Sequence, residues 1–398
     1  MVIMYIRPSY TVVRERLLEP KNKMQVIAGP RQVGKSTLVE QVCRSLELPS
    51  FIFNADAIPA DDNDWIRRVW ESVRIQVRSQ SLSEAILVID EIQKLKQWSE
   101  VVKREWDADI RNKVPIKVLL LGSSRLLLRK GLTESLAGRY ELIRMGHWSY
   151  PEMRDAFGFT LEQWIYFGGY PGAAAYIADM RRWKKYIKDS LVAPAIEKDV
   201  IMTSNIYKPA LMKQLFELGC SYSSEQISLT KLLGQLQDAG NVTTLSSYLE
   251  VLGQCNLLTG LHKYAFDEAR KRQSIPKILT YNNALMTAYR GKGLERDMAD
   301  PMACGRWIES AVGAYLLDFA EEQDAHVYYW RDRSDEVDFI VECQGDVVAI
   351  EVKSGRRGMN SGLPEFVRRY HPHRSFVAGT DGIPFETFFQ MDLTTLFE

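Results

Sequence analysis

The N-terminal residues best suited to chemistry lie at positions 29–36, which read GPRQVGKS. They fit the pattern GxxxxGK followed by Ser or Thr, with an apolar run before them and a helix-compatible stretch after them. In such a turn the glycines let backbone N–H groups face a phosphate, and the helix N-terminus adds partial positive charge. Lys35 is expected to reach the β- and γ-phosphates, and the Ser36 hydroxyl to bind Mg²⁺. The predicted nucleotide contacts are Gly29, Pro30, Arg31, Gln32, Val33, Gly34, Lys35, Ser36 and Thr37.

Two further apolar runs of the sequence end in polar residues. ILVIDE ends in Asp90 and Glu91, and KVLLLGSS ends in Ser123 and Ser124. Asp90 is predicted to hold Mg²⁺ through water, and Glu91 to polarise the attacking water. The Ser123 hydroxyl would contact the γ-phosphate or that water, although Gly-Ser-Ser is also a common loop sequence. No guanine-reading motif (N/TKxD) follows, so the sequence favours ATP over GTP.

A third set lies near the C-terminus, in EVDFIVECQGDVVAIEVKSG, which predicts a β-hairpin. A turn at Gln344 and Gly345, or a longer loop around them, places Asp338 opposite Glu351 in either case. Opposed carboxylates repel unless a cation lies between them, and Mg²⁺ prefers such oxygen ligands. Lys353 shares their face and would orient or deprotonate a water at a scissile phosphate. The alternative is an ordinary Glu–Lys pair on an exposed strand.

Alternating strands and helices with near-continuous apolar runs predict an α/β fold with a parallel sheet in the N-terminal part. A mostly helical stretch follows, then a helix–short helix–helix–strand pattern typical of a winged helix, and finally mixed α and β. Within the winged-helix pattern, Gly219 is expected to end the first helix and Thr243 to begin the last. The predicted divisions are 1–146, 147–207, 208–266 and 267–398.

Composition limits the remaining possibilities. The chain has 398 residues with 51 Lys and Arg against 51 Asp and Glu, so no overall field draws it to nucleic acid or to an anionic membrane. Its five scattered cysteines indicate reduced thiols rather than a disulfide framework or a zinc site. No apolar run approaches the ~20 residues of a membrane span, and the N-terminus lacks a signal-peptide pattern. The sequence therefore predicts a cytoplasmic protein without a membrane partner.

The segments GPRQVGKST, VIDEIQKL, LLLGSSRLLL and ESLAGRYELIRM together resemble a bacterial and archaeal family of AAA+ ATPases. In that family the ATPase module, with its helical lid, is followed by a domain of unknown function of the DUF4143 type. GGYP, GRWIESAV, EVDFIV and AIEVKSG fit its later parts in the right order. The resemblance implies ATP hydrolysis in a homo-oligomer in which one subunit supplies an arginine to the next. Arg139 in SLAGR matches that arginine, with Arg125 as the alternative.

The same resemblance implies a C-terminal fold similar to the PD-(D/E)XK restriction endonucleases. Asp338, Glu351 and Lys353 match the D…ExK pattern of that fold, and Glu309 in GRWIESAV matches its helix glutamate as a metal ligand. Asp338 and Glu351 would bind the metal as well. The leading hypothesis is a Mg·ATP-hydrolysing protein whose nucleotide state moves a nuclease-like domain acting on DNA. The alternative is a non-cleaving, ATP-dependent switch whose C-terminal domain only binds nucleic acid or a protein partner.

The winged-helix pattern by itself gives a weak DNA signal. The helix after Thr243 offers few Lys or Arg side chains, whereas a helix that reads DNA normally presents several. A spacer that packs within the protein is therefore favoured. Two basic clusters, 181–185 and 270–272, are usually solvated faces, although Trp183 in the first would suit a surface that stacks on bases.

Overall fold

The protein is represented by a computed structural model in which two compact units are found, Met1–Met145 and Gly146–Glu398. The residues that the structure describes are 5–62, 64–122, 132, 135–201, 206–237, 240–265, 274–355 and 362–398.

The first unit contains a five-stranded sheet whose strands are all parallel, in the order β2-β3-β4-β1-β5. Its strands are β1 (Met24–Ala28), β2 (Ser50–Asn54), β3 (Ala85–Asp90), β4 (Ile116–Gly122) and β5 (Tyr140–Arg144). Every residue of β1, β3 and β4 is buried, which explains why these three strands read as apolar runs without alternation. The predicted parallel α/β sheet is confirmed.

Four helices accompany this sheet: α1 (Ser9–Leu18), α2 (Lys35–Ser45), α3 (Asp64–Ser79) and α4 (Trp98–Arg111). A short 3₁₀ turn, Ile92–Lys94, follows β3. The core of the unit joins strand residues to the apolar faces of α3 and α4, including Trp70, Trp98 and Trp106. Because parallel strands end at the same edge of a sheet, the residues after β1 and β3 are brought to one side of the unit.

The second unit begins with helices. They are α5 (Tyr150–Phe157), α6 (Leu161–Phe167), α7 (Met180–Tyr186), α8 (Pro209–Ser221), α9 (Leu229–Leu233) and α10 (Val242–Gln254), with 3₁₀ turns or π-helical segments at Pro171–Tyr176, Ile187–Val192 and Ala195–Ile201. Two predictions from the sequence, on where α8 ends and where α10 begins, are wrong. The helix α8 continues through Gly219, and the α10 helix is capped by Asn241, whose side chain accepts a hydrogen bond from the Thr244 N–H, rather than by Thr243.

The helices of residues 147–207 pack within this second unit. The Tyr166 hydroxyl donates to Asp297 Oδ2 at 2.7 Å, and Asn283 Nδ2 donates to the carbonyl oxygens of Ile165 and Trp307 at 2.6 and 2.8 Å. The bonds of Tyr166 and Ile165 tie the predicted lid segment to elements that follow the winged-helix pattern. The predicted four-part division of the chain stays a prediction.

The remaining strands of this unit form two sheets. A two-stranded antiparallel sheet contains β6 (Leu258–Leu261) and β7 (Lys277–Thr280), and a four-stranded sheet, in the order β11-β10-β9-β8, contains β8 (His326–Asp332), β9 (Asp335–Cys343), β10 (Asp346–Lys353) and β11 (Arg374–Gly379). The associated helices are α11 (Asn283–Arg290), α12 (Leu294–Ala299), α13 (Pro301–Gln323), α14 (Leu363–Tyr370) and α15 (Phe385–Phe388), and a 3₁₀ turn spans Leu393–Leu396.

The β9–β10 hairpin has the register that the sequence predicts. Phe339 pairs with Ile350, so the next positions along the two strands are those of Asp338 and Glu351. Gln344 forms the turn with the following glycine, and both have positive φ, 52° and 98°. This is the two-residue connection whose backbone twist matches that of the flanking strands.

Candidate functional site

The loop between β1 and α2 has the backbone shape of a phosphate cradle. Gln32 and Gly34 lie in the left-handed region, with φ of 58° and 93°, and α2 begins directly afterwards at Lys35. A Cβ on Gly29 would lie 2.0 Å from the carbonyl oxygen of Met145, so only glycine fits there. The predicted turn between a buried strand and a helix N-terminus is therefore present, with the geometry that lets main-chain N–H groups face an anion.

Lys35 is buried over this loop. Its Nζ donates to the carbonyl oxygens of Gly29 and Pro30, at 2.8 and 2.6 Å. The Lys35 ammonium group therefore lies at the entrance of the loop, where a phosphate oxygen could replace one of its two carbonyl partners. Of the remaining predicted nucleotide contacts, Arg31 is half-buried and Thr37 is exposed.

The predicted magnesium ligands also meet. Ser36 Oγ donates to Asp90 Oδ2 at 2.6 Å, although α2 and β3 are far apart in sequence. The other oxygen of Asp90 accepts the Glu91 N–H at 2.8 Å, which fixes the carboxylate. One hydroxyl and one carboxylate in contact form the oxygen-donor set that Mg²⁺ prefers, so these residues fit the ion.

Glu91 follows β3 with a φ of 53°. Gln93 Nε2 donates to Glu91 Oε2 at 2.6 Å. Sequence reasoning missed Gln93, whose only signal was its place two residues after the glutamate. The predicted partner Ser123, together with Ser124 and Arg125, lies outside the described residues.

Arg139, the predicted arginine finger, forms an ion pair within its own chain. Its Nε and Nη2 donate to the two carboxylate oxygens of Asp107 on α4, at 2.8 and 3.1 Å. This bidentate hydrogen bond lowers the pKa of the Asp107 carboxyl. Arg139 would have to leave Asp107 before it could act on a neighbouring subunit, and its role in trans stays a prediction.

The predicted C-terminal residues come together around the β9–β10 hairpin. Asp338 Oδ2 accepts the Val352 N–H at 2.8 Å, and Lys353 Nζ lies 2.7 Å from Glu351 Oε1. Burial raises the pKa of Glu351 to about 7, and the charge of Asp338 acts in the same direction. The second oxygen of Glu351 has no hydrogen-bond partner among the described residues.

Lys277, which sequence reasoning missed, enters this centre from β7. Its side chain is 1% exposed, and its Nζ forms an ion pair with Glu309 Oε1. It also lies 3.6 Å from Asp338 Oδ1 and donates to the Asp338 carbonyl oxygen at 3.2 Å. Burial alone would lower the pKa of Lys277, but the charges of Glu309 and Asp338 raise it above its usual range. Burial raises the pKa of Glu309 above its usual range against the opposing effect of Lys277.

The role of Glu309, Asp338 and Glu351 as metal ligands stays a prediction; in the structure the Lys277 ammonium group lies against two of them, Glu309 and Asp338. Within the part of the chain that the structure describes, no three His, Cys, Asp or Glu side chains form a group that could hold a metal ion.

The predicted stacking surface in the 181–185 cluster is wrong. Trp183 is completely buried and packs edge-on against Phe167, with ring centroids 5.1 Å apart. The other basic cluster, 270–272, lies outside the described residues. Of the helices that the structure describes, none has the length and apolar character needed to cross a bilayer.

Three family models match the chain in succession. Residues 21–154 match an AAA domain, residues 158–296 match a domain of unknown function (DUF8612), and residues 304–391 match a domain of unknown function (DUF4143).

The chain is also similar to individual proteins. Uncharacterized proteins of Mycobacterium tuberculosis (Rv2008c) and Mycobacterium bovis (Mb2031c) are each 27% identical over 354 residues, which cover 85% of this chain and 73% of the relative. Among solved structures, the Walker-type ATPase PABY2304 of Pyrococcus abyssi superposes with a TM-score of 0.51 at 14% identity. That match covers 72% of this chain and 96% of the other. At such low identity the likeness concerns the fold alone.

Proposed function

The chain carries an AAA domain with a P-loop ATPase fold and a C-terminal DUF4143 domain, and we propose that it binds and hydrolyses Mg·ATP at the loop before α2. The observation that carries this proposal is the meeting of Lys35, Ser36 and Asp90 at one edge of the parallel sheet. An apolar strand that ends in a buried carboxylate, held by a hydroxyl from the phosphate loop, is costly to build without a cation to bind.

Each residue has a distinct part in the proposed reaction. The loop N–H groups and the Lys35 ammonium bind the β- and γ-phosphate oxygens, and Lys35 exchanges its carbonyl partners for these charged oxygens. Ser36 and Asp90 would hold Mg²⁺, which when bound offsets the negative charge of the phosphates. Glu91 orients the water that attacks the γ-phosphorus, since its carboxylate follows β3 at the same edge.

Hydrolysis is tested by Glu91→Gln, which keeps the shape of the side chain but removes its charge. We expect phosphate release to fall by at least about 100-fold, the usual contribution of a positioned acid–base group, with Mg·ATP affinity retained. Glu40→Gln, on the exposed side of α2, is the matched control and should hydrolyse ATP normally. Loss of binding, rather than of turnover, in Glu91→Gln would contradict the assigned role.

For the C-terminal domain we propose a nuclease-like centre that acts on DNA and responds to the nucleotide state of the AAA domain. The support is the meeting of Asp338, Glu351 and Lys353 at the hairpin. Nicking of supercoiled DNA in Mg²⁺ or Mn²⁺, abolished by Asp338→Ala and by Lys353→Ala, is the expected result. Cleavage that persists in both variants would reject these residues as the catalytic set.

A second candidate for this domain is a non-cleaving module that binds nucleic acid or a protein partner under control of ATP. The ion pairs of Lys277 with Glu309 and Asp338 favour it, because they occupy the carboxylates that a nuclease metal would need. Absence of nicking in the unaltered protein, with nucleotide-dependent DNA retention in a gel-shift assay, is the outcome expected of this candidate.

A further inference from the structure

We infer that Lys277 is a built-in cation that takes the place of a divalent metal ion in the C-terminal carboxylate centre. The inference deepens the proposed function and rests on its assignment of Asp338 and Glu309 to one centre. It selects between the two candidates for the domain, because a centre that excludes Mg²⁺ and Mn²⁺ cannot cleave DNA by metal-assisted hydrolysis.

The position of the Lys277 ammonium carries the argument. It contacts one oxygen of Glu309 and lies 3.6 Å from one oxygen of Asp338, so it bridges the carboxylates from α13 and β9. The remaining oxygen of Asp338 accepts the Val352 N–H and is not free for a second ligand without loss of that bond. Two anions that would repel each other when bare are thus held together by a cation that the chain itself supplies.

The backbone of Lys277 leaves the side chain little freedom to withdraw. Lys277 pairs with Leu261 in the β6–β7 sheet and forms an isolated antiparallel bridge to Gln226 on its other side. Its ammonium lies 4.7 Å from the centre of the Phe339 ring, and the side chain is almost entirely buried. A metal ion that bound both carboxylates would have to drive this ammonium into apolar surroundings, where an unpaired charge is strongly disfavoured.

The second lysine of the centre is also engaged. Lys353 pairs with Glu351 at 2.7 Å, whereas Lys277 lies against Glu309 and Asp338. Farther out, Gln226 Nε2 donates to Glu336 Oε1 at 2.7 Å, and Arg331 lies 3.9 Å from the other oxygen of Glu336. Glu309, Asp338, Glu336 and one oxygen of Glu351 are thus each contacted by a side-chain donor of the same chain, and among the described residues only the second oxygen of Glu351 has no such donor.

The test measures Mn²⁺ binding by the full chain, using the loss of the electron paramagnetic resonance signal of free Mn²⁺. All samples are nucleotide-free and carry Asp90→Asn, which removes the carboxylate of the phosphate-loop metal site. With Lys277 intact we expect no bound Mn²⁺ at millimolar concentration. Lys277→Met, which is one atom shorter than lysine, stays unbranched and removes the charge, should gain one bound Mn²⁺ per chain, and adding Asp338→Asn should abolish it.

Lys277→Arg retains the charge and is the matched control, expected to bind no Mn²⁺. Binding by the protein with Lys277 intact, lost on Asp338→Asn, would overturn the inference, as would a folded Lys277→Met protein that binds none. If Lys277→Met fails to fold, the measurement with Lys277 intact decides alone. Phosphate release by protein with Asp90 intact tests the ATPase proposal separately, so failure of that proposal can be told apart from failure of the Lys277 inference.

Discussion

Arg7 is a buried arginine that donates from Nη1 to the carbonyl oxygen of Val33, 3.1 Å away. Val33 lies in the loop between β1 and α2, whose main-chain N–H groups must face the phosphates. A buried guanidinium is stable only when its donors are occupied, so this contact couples the segment before α1 to the shape of the loop. Arg7 is therefore a positioning residue that acts on nucleotide binding through the backbone.

Arg7→Ala is expected to weaken Mg·ATP binding by about 10- to 100-fold, because a hydrogen bond from a charged donor contributes roughly 1.5–3 kcal/mol. Titration calorimetry measures the dissociation constant. Arg7→Lys can still donate one hydrogen bond and should give an intermediate value, whereas Arg16→Ala, an exposed arginine on α1, should bind normally. An unchanged dissociation constant together with a lower Tm would mean that Arg7 only stabilises the fold.

The residues that sequence reasoning found and those that it missed differ in where their partners lie. Lys35 could be assigned because its partners are within the same short motif. Lys277 could not be assigned from the sequence, since it lies in an apolar stretch and its partners, Glu309 and Asp338, belong to distant elements. Arg7 was missed for the same reason, with Val33 in a loop beyond α1 and β1. Local spacing predicts local contacts, and a long-range ion pair leaves no periodic signal in the sequence.

At the scale of elements, the strands were the most predictable features. Strands buried on both faces are mostly apolar along their whole length, and the hairpin register follows from one short turn with positive φ. The end of α8 was mispredicted because Gly219 serves packing instead of capping. A Cβ at that position would lie 2.3 Å from a methyl carbon of Leu258, so glycine lets β6 approach the helix. Sequence alone does not distinguish these two uses of glycine.

The pairing of α3 with α4 depends on a buried charge network. Arg74 on α3 donates from Nε to Asp109 Oδ1 at 2.7 Å and from Nη1 to Glu105 Oε2 at 2.8 Å. The Trp70 indole N–H donates to the other oxygen of Asp109, also at 2.7 Å. Every oxygen of Asp109 is therefore engaged, and removal of the arginine would leave two buried carboxylates side by side.

We expect Arg74→Met to destabilise this helix pair by about 3–5 kcal/mol, the usual cost of removing one partner from a buried ion pair. Arg68→Met, on the same helix but exposed and paired with Asp62 outside the network, should cost at most about 1 kcal/mol. Hydrogen exchange of the α3 and α4 amides measures the difference in stability between the two variants within the intact chain. A local measurement is needed because a chain with two compact units need not unfold in a single transition. Equal exchange rates in the two variants would show that the network contributes no stability beyond that of a surface pair.

At the scale of the whole molecule, the sequence predicted a boundary after residue 146, and the compact units divide after Met145. The sequence predicted this boundary because alternating strands and helices give way there to helices rich in aromatic residues. The segment 147–207 was assigned to the ATPase as a lid, yet its residues Ile165 and Tyr166 form buried hydrogen bonds with Asn283 and Asp297. Those hydrogen bonds join segments more than 100 positions apart, and neither composition nor the local pattern of apolar residues reveals such long-range contacts.

The proposed homo-oligomer is tested by mixing two inactive proteins. Lys35→Ala removes the phosphate-binding ammonium, and Arg139→Ala removes the arginine proposed to act in trans, an effect worth roughly 10³-fold or more in turnover in related systems. Each protein alone should hydrolyse almost no ATP. In a mixed oligomer, the intact phosphate loop of an Arg139→Ala subunit can meet the intact Arg139 of a Lys35→Ala subunit, so phosphate release should return.

The control for this experiment follows from the ion pair that Arg139 makes in its own chain. Asp107→Asn weakens that pair while keeping the arginine, so an arginine that acts in trans predicts retained or faster hydrolysis. A structural arginine predicts instead that Asp107→Asn and Arg139→Ala lower Tm alike and that mixing restores nothing. If light scattering shows mixed oligomers with ATP and these remain inactive, the arginine of the AAA domain must be sought elsewhere. Arg125 is then the next candidate, because it comes three positions after the end of β4 in the sequence.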